Sequence, residues 1–135
     1  MYVTEELSIS LDSRLGSIEQ VEPFIQRCRS NCRFNETLYH DILLVLTEAV
    51  NNGIIHGNRM QPNKIVKVCF SSDESRLKFT VCDEGSGFNP QNIPDPTIAQ
   101  RLDKPNGRGV FLMKALADKL DYMDNGRTVS IEFSY

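Results

Sequence analysis

At 135 residues and 15.3 kDa the chain is the size of one domain, long enough to bury a core without disulfides or a structural metal. Hydrophobic residues make up 40% and charged residues 24%, the proportions of a folded chain and not of a disordered one. The net charge of −3 argues against sequence-independent nucleic-acid binding, and no apolar run nears the ~20 residues of a membrane span.

The first ten residues lack a basic segment followed by an apolar one, so no leader is expected and the chain is read as cytoplasmic. Cys28, Cys32, Cys69 and Cys82 are then reduced thiols. Without CxxC or HxxxH spacing they read as small buried hydrophobes and not as metal ligands.

Leu7, Ile9 and Leu11 alternate with polar residues and predict a first strand. Ile18, Val21, Ile25, Cys28 and Cys32 step by three and four, which predicts a helix within Ser13–Cys32 that begins just before Pro23 or bends there. Asn35 is a good N-cap for a second helix running from Glu36 to about His56, with Gly57 and Asn58 as stop signals. Its apolar positions spread over more than half the circumference, as in a central, largely buried helix. Two strands follow, Ile65–Phe70 and Arg76–Asp83, joined by a turn at Ser71–Ser75.

Glu84–Gly109 is different in kind: it holds four of the six prolines and four of the eight glycines, and is expected to be a long, flexible loop. A third helix is predicted over Val110–Lys119, with Phe111, Leu112, Ala115 and Leu116 apolar. A closing hairpin, Asp121–Asp124 and Thr128–Tyr135, is expected to turn at Asn125-Gly126. The order β-α-α-β-β-loop-α-β-β predicts an α+β fold: a two-layer α/β sandwich in which helices cover one face of a mostly antiparallel, mixed sheet.

Three segments carry chemistry. In Glu48–Gly57, EAVNNGIIHG, Glu48 and Asn52 are four apart and share one helix face beside a broad apolar surface. They are either a polar helix-surface pair or a working pair, in which Asn52 offers an oxygen to a hard cation such as Mg²⁺ and Glu48 orients or deprotonates a nucleophile. His56 lies one turn further on. In Asp83-Glu84-Gly85-Ser86-Gly87-Phe88, a carboxylate ends a strand with glycines behind it. This is a capped turn or a pocket in which Asp83 accepts a hydrogen bond from an exocyclic amine. Asn106-Gly107-Arg108-Gly109-Val110-Phe111 is a Gly-rich loop entering a helix. Backbone N–H groups there can meet phosphate, yet the segment is neither a P-loop nor a Rossmann fingerprint.

In this order, ExxxN on a central helix, DxGxG after a strand, a Pro/Gly-rich loop and GxG entering a helix resemble the N, G1 and G2 boxes of the GHKL ATPase family, whose ATP-binding domain is the Bergerat fold. The short length, the EAVxNxxxHG form and the short lid are most similar to the bacterial anti-sigma-factor serine/threonine kinases. No phosphoacceptor helix hairpin and no transducer domain accompanies them, which sets aside the histidine kinase and topoisomerase branches.

The resemblance covers nearly the whole chain. It implies one histidine-kinase-like ATPase domain, residues 1–135, with an ATP lid at about 84–109. It also implies ATP and Mg²⁺ as cofactors and an ATP-dependent protein serine/threonine kinase that acts as an anti-sigma factor. The implied partners are a sigma factor and an anti-anti-sigma (STAS-type) protein as substrate, with no nucleic acid and no membrane, and the branch commonly forms homodimers. Glu48 is then the catalytic base. Asn52 is the Mg²⁺ ligand, Asp83 the adenine contact, and Gly85 and Gly87 shape its pocket. Gly107 and Gly109 let the lid close on the phosphates, and Thr128 lies beside the adenine. Arg101, Lys104 and Arg108 are candidates for the γ-phosphate, and Gly53 stands where the family more often has alanine. A nucleotide-responsive binding module with little or no kinase activity is the competing reading; the presence of Glu48 weighs towards catalysis.

Overall fold

The computed structural model describes residues 5–86 and 105–135. Strand β1 (Glu5–Asp12) leads through a 3₁₀ segment, Leu15–Gln20, into helix α1 (Val21–Asn31). Pro23 falls in the first turn of α1, where a missing N–H costs nothing, so the helix starts beside the proline and does not bend at it. Helix α2 (Glu36–Asn52) is capped as expected, with Asn35 Oδ1 accepting the Leu38 N–H at 2.8 Å. A π-helical turn, Gly53–Gly57, then widens the end of the helix.

Strands β2 (Ile65–Ser72) and β3 (Arg76–Cys82) form a hairpin around Asp73, whose Oδ1 accepts the N–H groups of Ser75 and Arg76. Helix α3 (Pro105–Leu116) precedes a second hairpin, β4 (Lys119–Met123) and β5 (Thr128–Ser134).

The five strands lie in the order β1-β2-β3-β5-β4. All four pairings are antiparallel, so the expected mixed character is absent among the described residues. The register aligns Leu7, Ile9 and Leu11 with Phe70, Val68 and Val66, and these with Phe79, Val81, Ile131 and Val129 further across. That face carries the core: Phe79 is fully buried between Phe70 and Phe133, with ring centroids at 5.0 and 6.3 Å. Helix α2 lays Ile42, Val45, Leu46, Ala49 and Val50 onto it, which holds the helix end at one end of the strands. The opposite face is polar, with Ser8, Lys67, Lys78, Thr80 and Glu132.

Two boundaries differ from the sequence reading. Helix α3 begins at Pro105, not Val110, and ends at Leu116. Its buried side is Val110 and Met113, while Phe111 is 50% exposed. Lys119 cannot extend the helix, because Asp118 N–H already bonds Glu132 O at 2.9 Å and Lys119 pairs opposite Glu132. The second hairpin turns one residue earlier than Asn125-Gly126. Asp124 and Asn125 hold φ of 53° and 55°, and Gly126 N–H closes on Met123 O at 3.0 Å.

Phe79→Ala should cost about 3–5 kcal/mol, because a fully buried ring between two others leaves a cavity. Urea unfolding of the variant checks it.

Candidate functional site

The site lies where the C-terminal end of α2 meets the ends of β3 and β5. A π turn forms at Gly53–Gly57: Asn58 N–H reaches Gly53 O at 2.8 Å, five residues back. Asn58, 1% exposed, then joins the surrounding strands. Its Nδ2 donates to Ser13 Oγ at 2.8 Å and to Ile65 O at 3.1 Å, and its Oδ1 accepts the Glu84 N–H at 2.7 Å. Ser13 Oγ in turn donates to Lys64 O at 2.7 Å. One side chain thereby fixes the exit of β1, the entry of β2 and the residue after Asp83. By sequence Asn58 reads only as a stop signal; a polar residue directly behind a helix-ending glycine is the sign of its further part here.

Asp83 sits directly over Gly57. A Cβ on Gly57 would lie 2.4 Å from the Asp83 Cγ, and a Cβ on Gly85 would lie 2.0 Å from Gly57 O. Neither position has room for a side chain, so the strand end presses backbone to backbone on the π turn. Asp83 Oδ1 accepts the Gly85 N–H at 2.8 Å; Oδ2 accepts no hydrogen bond from the described residues. Burial pushes the Asp83 carboxyl above its ordinary value. The Gly85 N–H, Arg127 and Lys64 pull against that shift, and Asp124 adds to it. A half-buried carboxylate with one oxygen committed and one open is the arrangement of a hydrogen-bond acceptor for a ligand.

The second cluster is one turn back along α2. Glu48 and Asn52 are both partly buried and converge on the backbone of Gly109. A Cβ there would lie 2.7 Å from Glu48 Oε2 and 3.6 Å from Asn52 Nδ2. Gly109 is inside α3, not in a loop before it, so the helix itself meets this pair at Gly109. Two oxygen-bearing side chains side by side on one helix face have the donor chemistry that a hard cation takes, so these residues suit Mg²⁺.

Thr128 is not brought to Asp83. It pairs with Cys82 across β3 and β5, and its Oγ1 donates to Cys82 Sγ at 3.3 Å, on the sheet face away from the helices. Strand alternation is the reason: Asp83 faces α2, so its neighbour across the pair is Arg127, whose carbonyl accepts the Asp83 N–H at 2.9 Å. Sequence pattern carried no sign of Arg127. Gly87, Arg101 and Lys104 lie outside the described residues, as does most of the expected lid, and the Arg108 side chain does too. His56 is exposed and Gly53 is buried against Val66. No helix among the described residues is long and apolar enough to cross a membrane.

An α+β sandwich with a carboxylate corner and an ExxxN helix face defines an ATPase-type nucleotide fold. Residues 11–133 match the histidine kinase-like ATPase domain, and the chain belongs to that family, whose ATPase domain implies ATP as ligand. It is similar to the anti-sigma F factor of Bacillus cytotoxicus, with 32% identity over 87 residues, 63% of this chain and 60% of that protein. The anti-sigma F factor of Bacillus cereus is 31% identical over the same shares. The matched region thus spans about 60% of the length of these relatives. The solved structure of the RsbU and RsbW domains of Rv1364c from Mycobacterium tuberculosis shares the fold. Its TM-score is 0.66 at 15% identity, over 98% of this chain and 32% of that one.

Two outcomes are expected at Asp83. Its folded-state pKa is raised, so the folded protein holds this proton more tightly than the unfolded chain does. That contribution is full below the ordinary carboxylate range and is lost as pH rises through the raised value, leaving the ionised group a net cost at neutral pH. Asp83→Asn in ligand-free protein should therefore melt no lower than wild type at neutral pH, by calorimetric scans. The same variant should bind ATP more weakly, since a charge-assisted bond worth ~1.5–3 kcal/mol is removed. Gly57→Ala should displace the carboxylate and weaken ATP to at least the same extent, by titration calorimetry.

Proposed function

We propose that the chain is an ATP-dependent protein serine/threonine kinase that acts as an anti-sigma factor, with an anti-anti-sigma protein of STAS type as substrate and a sigma factor as the protein it holds. The observation that carries the reading is the joint arrangement around one helix end. Asp83, half-buried over the π turn, offers an acceptor to a base, and Glu48 and Asn52 converge on α3 one turn away. The likeness to anti-sigma F factors of Bacillus supports the regulatory half of the proposal.

In this reading the open Asp83 oxygen accepts the adenine amino group, with Gly85 and Gly87 forming the pocket floor. The first turn of α3, which holds Gly107, turns its N–H groups to the phosphates, and Gly109 in the next turn lets the helix lie against Glu48. Asn52 would hold Mg²⁺ through its amide oxygen, and the ion would supply charge neutralisation at the phosphates. Glu48 takes the proton of the substrate serine hydroxyl as its oxygen bonds the γ-phosphorus and the bond to ADP breaks; the proton stays on the carboxylate and the phosphoryl group on the serine. Phosphoryl transfer asks the protein for position and charge, and both come from side chains fixed on a buried helix.

Glu48→Gln should leave ATP affinity within a few-fold while lowering phosphotransfer by roughly 10²–10⁴, because Gln keeps the shape and cannot take a proton. Asn52→Ala should remove both Mg²⁺–ATP binding and transfer. Radiolabel transfer from ATP to a STAS-type protein from the same cell reads both. Transfer by Glu48→Gln at the wild-type rate would exclude Glu48 as the base. ATP-dependent partner release with no transfer by any form would make the protein a nucleotide-responsive binding module.

A further inference from the structure

Beside the Asp83 corner lies a charged side chain to which the mechanism assigns nothing. Arg127, in the turn between β4 and β5, is 30% exposed at its side chain. Its Nη1 lies 3.4 Å from both Gly85 O and Ser86 O. On the other side Nε and Nη2 reach the Asp124 carboxylate at 3.4 and 3.3 Å. These are long contacts, at which a neutral donor would contribute little. A guanidinium is different: it is always charged, and its planar fork can address a carboxylate and two carbonyls together.

The carbonyls it gathers belong to the two residues that most need holding. Gly85 has no side chain to anchor it, and its N–H is the donor that occupies Asp83 Oδ1. If this glycine segment swings out, Oδ1 loses its donor and the carboxylate is free to rotate away from the direction it now offers a ligand. Asp83 itself is tied to the same turn through its N–H bond to Arg127 O. Backbone and side chain of Arg127 thus hold both ends of Asp83–Ser86.

We propose that Arg127 is a positioning residue for base recognition, a strap from the β4–β5 turn across Gly85 and Ser86 that keeps the Asp83 carboxylate aimed into the nucleotide pocket. The proposal rests on the reading of this site as an ATP pocket. Arg127 touches no reacting atom and acts through Asp83. The charged groups facing Asp83 are Arg127 and Asp124 from the β4–β5 turn and Lys64 from the segment before β2; the π turn presents the backbone of Gly57. Arg127 and Lys64 favour the ionised carboxylate, while burial and Asp124 oppose it. Removal of Arg127 therefore has two effects: the segment loosens, and Asp83 protonates at higher pH.

The test uses wild type, Arg127→Ala and Arg127→Lys. Amide exchange at Gly85 and NMR titration of the Asp83 carboxyl are read in ligand-free protein, and Mg²⁺–ATP affinity is read by calorimetry from acid pH upwards. Arg127→Ala should speed Gly85 exchange, move the acid limb of ATP binding to higher pH, and weaken ATP about tenfold on the plateau above that limb as well. Arg127→Lys should restore the acid limb by its charge but not the affinity, since an ammonium has no fork for two carbonyls. The lysine variant also serves if the alanine variant folds poorly. Wild-type ATP affinity and Gly85 exchange in both variants overturn the proposal. A wild type that binds no ATP is a different result: it overturns the pocket reading itself, and the proposal with it.

Discussion

The contact on which the site depends is made by what is missing. Gly57 and Gly85 carry no Cβ, and so the end of a helix and the end of a strand meet at backbone distance with the Asp83 carboxylate between them. Ordinary helix–sheet packing keeps such elements about 10 Å apart, the width of two layers of side chains. Closing that gap at one corner brings an acceptor from the sheet to the same place as polar side chains from the helix. The π turn is part of the device. Widening the helix over Gly53–Gly57 leaves Asn58 pointing inwards, where both ends of its carboxamide are bonded, to the exit of β1, the entry of β2 and the residue after Asp83. Corner and clamp together fix how the helix layer sits over the strand ends.

Much of this was legible in the sequence because the signals are local or periodic. Alternation at Leu7–Leu11 and Leu77–Val81 gave the strands and their inner face, and Asn35 gave the start of α2 through a bond three residues long. The paired Glu48 and Asn52, Asp83 and its following glycine could be seen as polar or flexible residues set where an apolar or regular one was expected. Local conflict of that kind is a common mark of a functional site.

What was not legible depends on the partner across space. The start of α3 could not be read, because four prolines and four glycines within Glu84–Gly109 mask the helix that begins at Pro105. Proline at a helix start is favoured, and Gly109 inside the helix is tolerated because Glu48 occupies the space its side chain would need. By motif Thr128 falls to the nucleotide, whereas its side chain lies on the sheet face opposite Asp83. In a strand a shift of one moves a side chain to the other face, and the register of β3 on β5 was not contained in either strand alone. The same shift puts Arg127 opposite Asp83, which no pattern in the sequence announces.

The two clusters share a single rigid part. Helix α2 is buried on Ile42, Val45, Leu46, Ala49 and Val50, so its position on the sheet is set by the core and not by the site. Glu48 and Asn52 are therefore held by the same packing that seats Gly57 under Asp83, and their spacing from that glycine is set by the helix backbone. The core tolerates this because the polar load lies at its edge. Asn58 is buried but fully bonded, and Asp83, whose burial opposes its charge, is only half covered and is flanked by Lys64 and Arg127. Burying Asp83 further would neutralise it, and exposing it would surrender the corner to water; the glycine contact holds it between the two.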